Sequence, residues 1–130
     1  LLYNSLGATA LTLDIDPALL ADDLSAPLTG LISATTNKLT YNVFPLGTDL
    51  GALASYCDLD SGILPIEQWV GDNGVDNADP ALITGAVEVT VTETAGVFKH
   101  EIHLKNVTLR KGTNSFLIAT DYLYGTLITN

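Results

Sequence analysis

Asp72-Asn73-Gly74-Val75-Asp76-Asn77-Ala78-Asp79 is the densest run of oxygen donors in the chain. Calcium takes roughly six to eight oxygens from carboxylates, amides and backbone carbonyls, on a backbone that glycine allows to turn sharply. Asp72, Asp76 and Asp79 are therefore candidate calcium ligands, with Asp58 and Asp60 as further donors if the fold brings them close. The run lacks the order of an EF-hand and its closing bidentate Glu. The same residue types also populate ordinary solvated turns.

His100 and His103 invite a metal reading. On a strand, residues three apart point to opposite faces, so the two imidazoles cannot share one ion. Ser, Cys, His and acidic residues all occur, but no nucleophile elbow, phosphate-cradling glycine loop or dinucleotide fingerprint accompanies them. The chain reads as non-enzymatic. Trp69, Tyr122 and Tyr124, with Tyr41 and Tyr56 as further aromatics, form a sugar-stacking platform if several share an exposed face. Asn106-Val107-Thr108 matches a glycosylation sequon.

The elements that must hold these residues are strands. Val87, Val89 and Val91 alternate with Glu88, Thr90 and Thr92, and Phe98, His100, Ile102 and Leu104 alternate with Lys99, Glu101 and His103. A tight turn at Ala95-Gly96 pairs Thr94 with Val97 and sets the register. Val91 then meets His100, Val89 meets Ile102 and Val87 meets Leu104, while Glu88 meets His103 and Thr92 meets Lys99. Apolar pairs share one face and polar pairs the other, which a slip of one residue would destroy.

Thr9, Leu11, Leu13 and Ile15 alternate with Ala10, Thr12 and Asp14, which predicts a half-buried strand. Further strands are expected over Leu28 to Ala34, Lys38 to Phe44 and Ile63 to Val70, with Pro65 marking an edge or bulge. Asp16-Pro17 signals a short helical turn over Ala18 to Leu24, and Asp49 to Tyr56 a second one. Val107 and Leu109 break the parity of Ile102 and Leu104, which predicts a β-bulge near Lys105-Asn106. Phe116 and Ile118 continue a strand, and Tyr122, Tyr124, Thr126 and Ile128 form a last alternating run. Short strands separated by Gly, Asn and Pro predict an all-β fold, an antiparallel β-sandwich of immunoglobulin-like or jelly-roll-like type.

A chain of 130 residues suits one domain, spanning 1–130. At 47% hydrophobic and 15% charged it has the composition of a packed domain and not of a disordered tail. The net charge of −10, with five basic residues against fifteen acidic ones, opposes binding to nucleic acid or anionic lipid. No apolar run is long enough to span a bilayer. Cys57 is the single cysteine, so no intrachain disulfide forms, and it reads as a small buried hydrophobe. The sequence contains no Met and opens on Leu1, the pattern of an exported chain after removal of a signal.

These features predict an extracellular or cell-surface structural or adhesive domain that associates with itself or with other surface proteins. Its apolar first segment, with Leu11, Leu13 and Ile15 as the assembly strand, would add to a neighbour's open sheet edge and build a filament. The alternative is a calcium-supported carbohydrate-binding module of an exported protein.

Overall fold

A computed structural model describes residues 1–25, 27–50, 62–72 and 85–130. The described strands are β1 (Leu2–Leu6), β2 (Thr9–Asp14), β3 (Leu28–Leu31), β4 (Lys38–Val43), β5 (Glu67–Asp72), β6 (Ala86–Thr94), β7 (Val97–Lys105), β8 (Thr108–Lys111), β9 (Asn114–Leu117) and β10 (Asp121–Thr129). They form two antiparallel sheets, one ordered β1-β2-β4-β5-β8-β9 and the other β10-β7-β6-β3. The sheets pack face to face as a β-sandwich, the all-β class expected from the periodicity.

The β6–β7 hairpin adopts the expected register from Ala86↔Lys105 to Thr94↔Val97. Ala95 and Gly96 both have positive φ, 53° and 80°, as a tight turn matched to strand twist requires. Its inward residues Val87, Val89, Ile102 and Leu104 are fully buried against Leu13, Leu39 and Leu109 of the larger sheet. Gly71 on β5 leaves room for Leu39 of the adjacent β4, because a Cβ there would lie 2.8 Å from Leu39 Cβ.

A short 3-10 turn covers Pro17–Leu20, shorter than the expected Ala18 to Leu24, and Asp16 caps it through the Ala18 amide. Asn37 then braces the start of that turn. Its Oδ1 accepts from the Asp16 amide at 2.8 Å and its Nδ2 donates to the Leu31 carbonyl at 3.1 Å. The second expected turn, Asp49 to Tyr56, lies outside the described residues from 51 onward.

Three expectations are corrected. The parity break after Lys105 is a change of sheet and no bulge: β7 ends in the smaller sheet, Asn106 takes φ 52°, and β8 begins in the larger one. The bulge lies in β10 instead, where the register with β7 shifts between Leu123 and Gly125 and leaves Tyr124 as the extra residue. The last run therefore does not alternate throughout; Gly125 and Leu127 lie opposite Ile102 and His100, while Ile128 is 56% exposed. Thirdly, β2 is buried on both faces. Leu13 faces the main core, while Ala10 and Thr12 are buried on the other side, Ala10 in a small cluster with Phe44 and Leu50. Thr12 and Thr40 hydroxyls bond each other on that second face.

The outer face of the smaller sheet carries charge. Lys105 lies 2.7 Å from Asp121 and 3.5 Å from Glu88, and His103 Nδ1 lies 2.6 Å from Asp121. The hydrogen bond from Lys105, then that from His103, holds the Asp121 carboxyl below its ordinary value of 3.8. A depressed folded-state value stabilises the fold above the unfolded value, and that contribution is lost as pH falls through the folded one. Asp121→Asn should thus lower the melting temperature slightly at neutral pH. Parent and variant should converge as acid protonates Asp121, which paired thermal melts across pH would show.

Candidate functional site

A groove of about 560 Å³ is lined from both edges of the six-stranded sheet. Asn4, Ser5 and Leu6 of β1 form one wall, and Phe116 of β9 with Ile118 forms the other. Leu11, Tyr41 and Leu109 come from the strands between, and Tyr122 from the start of β10. No lining residue is charged. The sheet thus curls enough for its first and last strands to face one cavity, each presenting a backbone edge that pairs with no other described strand.

Both walls follow from local chemistry. Leu6-Gly7-Ala8-Thr9 is a tight hairpin turn with Gly7 at φ 59°, and it sets β1 on β2 from Leu2↔Leu13 to Leu6↔Thr9. Gly112, at φ 60°, turns β8 into β9 and places Phe116 opposite Leu109. Phe116 is held from behind by Trp69, with ring centroids 5.2 Å apart in an edge-to-face arrangement. Trp69 is in turn fixed by a hydrogen bond from Nε1 to Glu67 at 2.5 Å and by the Lys111 ammonium 5.9 Å from its ring centroid. The Trp69 hydrogen bond and then Lys111 pull the Glu67 carboxyl below its ordinary range.

The structure does not bring Trp69, Tyr122 and Tyr124 onto one platform. Tyr122 lines the groove, Trp69 packs behind Phe116, and Tyr124 is buried. The Tyr124 ring crosses the sandwich, and its hydroxyl donates to the Leu11 carbonyl in the opposite sheet at 2.9 Å. Burial pushes that phenol far above its ordinary range. The groove's own aromatics are Tyr41, Phe116 and Tyr122. Phe116 entered the sequence reading only as a strand residue.

Leu11 and Leu13 lie in β2, between β1 and β4 of their own sheet, and Ile15 follows as a buried residue. The expected assembly strand is thus interior in this fold. The edge strand beside it is β1, which pairs with no other described strand.

Asp72 ends β5, where Arg110 Nε donates to its carboxylate. Asp76 and Asp79, with Asp58, Asp60, Tyr56 and Cys57, lie outside the described residues. Among the described residues no group of three or more His, Cys, Asp or Glu side chains is placed to hold an ion.

No family model, curated protein or solved structure matches this chain.

One cluster brings together the residue types of a nucleophilic triad. His100 Nε2 lies 3.0 Å from Asp22 Oδ1 and 3.2 Å from Thr129 Oγ1, and the Thr129 hydroxyl donates to the same Asp22 oxygen at 3.1 Å. A base that activates a hydroxyl uses one ring nitrogen for the hydroxyl and the other for the acid. Here one nitrogen meets both groups, while Nδ1 is buried without a partner among the described residues. The cluster ties the loop after the 3-10 turn to the end of β10. His103 points to the opposite face, as period two requires.

Tyr124→Phe should remove a side-chain hydrogen bond that spans the sandwich while keeping its packing. A loss of about 0.5–1.5 kcal/mol in urea denaturation is expected, with the fold retained in circular dichroism.

Proposed function

We infer that this protein is an extracellular structural or adhesive subunit that assembles by adding strands across open sheet edges. One observation carries this reading: the distribution of charge over the strands. All five basic residues lie on interior strands, Lys38 on β4, Lys99 and Lys105 on β7, and Arg110 and Lys111 on β8. Among the described residues the four edge strands read LYNSL, LTGL, NSFL and DYLYGTLIT, with Asp121 their one charged residue and no proline among them.

Sheets that must stay monomeric do the reverse. They place lysine, proline or inward charges at the edge, because an unpaired row of N–H and C=O groups is a template for another strand. The exposed side chains along these edges include Leu6 on β1, Leu31 on β3, Phe116 and Leu117 on β9, and Leu123 and Ile128 on β10. Edges of this kind gain by being covered, since the added strand supplies main-chain hydrogen bonds and removes apolar surface from water.

A second reading rests on the groove itself. Tyr41, Phe116 and Tyr122 line an uncharged cavity of about 560 Å³, which suits the apolar faces of an uncharged carbohydrate. Calcium support belongs to this reading alone. It predicts a melting temperature that rises with calcium and falls with EDTA, since a ligand bound only to the native state stabilises it; identical melts would remove the metal.

The strand-addition reading predicts filaments or larger regular assemblies in electron microscopy of the purified chain. Leu6→Lys, Phe116→Lys and Leu123→Lys should each place a cation on an edge, and the edges used in assembly should then show loss of assembly with an unchanged melt. A parent that stays monodisperse in light scattering up to high concentration would overturn it.

A further inference from the structure

We propose that β1 is the strand exchanged between copies: residues Leu1–Leu6 of one molecule leave their own β2 and pair with β2 of the next. This rests on the strand-addition reading and names the segment and its acceptor.

β1 combines two features: it contributes no buried residue, and grooves flank it on two sides. Among the described strands only β2 pairs with it. One groove is the cavity shared with β9, which meets Asn4, Ser5 and Leu6. The other, of about 310 Å³, separates Leu1, Leu2, Tyr3 and Asn4 from Ile102, Tyr124 and Leu127 of the opposite sheet. A strand with cavities along both flanks forfeits much of the dispersion contact that fixes its neighbours.

The hinge is equally specific. The Gly7 carbonyl accepts from the Leu50 amide at 3.0 Å, and the Ala8 carbonyl accepts from the Phe44 amide at 2.8 Å. The turn is therefore anchored from the β2 side, and rotation falls at Leu6-Gly7, where glycine at φ 59° tolerates it. Across that hinge the Thr9 hydroxyl donates to the Leu6 carbonyl, a side-chain bond on the exposed surface.

The other edges carry ties beyond their own ladders. β9 is bracketed by its turn from β8 and by the Ile118 amide on the Val107 carbonyl, with the Asn106 amide on the Thr120 carbonyl beyond it. β3 is held at its C-terminal end by Asn37 on the Leu31 carbonyl and by the Ile32 amide on the Gly85 carbonyl. β10 is fixed by Tyr124.

Exchange preserves the ladder, because the incoming segment has the same sequence as the one it replaces. Leu2↔Leu13 through Leu6↔Thr9 form again between molecules. Neither groove contains a charged side chain and Leu1–Leu6 has none, so the incoming strand desolvates no charged side chain. The occupant fitted to β2 is thus a second copy of this chain. Each molecule both gives β1 and receives one, and a head-to-tail repeat extends without closing.

Cross-linking in a Cys57→Ser background tests this. Asn4→Cys and Leu11→Cys are prepared as separate variants, as are Ser5→Cys and Ala10→Cys. The two pairs cover both classes of antiparallel neighbour, so disulfide geometry cannot defeat both. Mixing the partners of a pair and oxidising at concentrations where the parent assembles should give a cross-linked heterodimer. The double variant should give a ladder of covalent oligomers when oxidised in the assembled state. Oxidised first when dilute, it should form an intrachain bond and then fail to assemble until reduced. If the parent assembles but the mixture gives no cross-link and the locked variant still assembles, β1 exchange is overturned and another edge makes the contact. If the parent does not assemble at any concentration, strand addition falls together with exchange.

Discussion

The constraint on which the structure depends is the fixed register of the β6–β7 hairpin. Ala95 and Gly96 turn the chain so that Val87, Val89, Ile102 and Leu104 present one apolar surface, and the whole six-stranded sheet is laid on that surface. A slip of one residue would turn Glu88, Thr90, Glu101 and His103 inward together. Few other parts of the fold are so strongly determined locally. Everything else is located relative to it: β3 and β10 flank it, and Tyr124 reaches from β10 to Leu11 in the opposite sheet.

This explains which parts of the fold were legible in the sequence. The hairpin was, because period two, cross-strand pairing and turn chemistry all agreed over the same twenty or so residues. The sandwich class was legible for the same reason. The sheet change at Asn106 was not, because a strand that switches sheets and a strand with a bulge both alter parity at one residue. Only the partner of β8 distinguishes them, and that partner is β5, far away in sequence. The Tyr124 bulge hid behind an alternation that looked unbroken from Tyr122 to Ile128. In β2, Ala10 and Thr12 read as a solvent face, yet they are buried; Ala10 packs with Phe44 and Leu50, a contact no periodicity encodes.

The candidate site was less legible than the fold. Tyr41 and Tyr122 were visible as aromatics, but the groove is made by the curl of a sheet whose first and last strands are more than a hundred residues apart. Trp69 drew attention by its type, and its place proved to be that of a brace. Glu67, Lys111 and Phe116 occupy its polar edge, its cation-attracting surface and its packing neighbour. One signal in the sequence did mark the site: stretches such as LLYNSLGATALTL and TNSFLIAT contain no charge. Its meaning depends on topology, because an uncharged strand in the middle of a sheet is unremarked and the same strand at an edge is exposed.

Charge placement and packing point to the same part of the molecule. An acidic chain with a net charge of −10 resists close approach of its copies through long-range repulsion, screened within about 8 Å at physiological salt. Contacts between such molecules must therefore be short-ranged and directional, which main-chain ladders are and diffuse apolar patches are not. The edges leave that kind of contact available and put one like charge, Asp121, in its path. β1 joins grooves on two sides to an absence of buried residues and a glycine hinge anchored beyond it, whereas β10, which meets the same two grooves, is held by buried Tyr124. Repulsion between bodies and pairing between edges then act at different distances, which favours contact in one geometry over indiscriminate association.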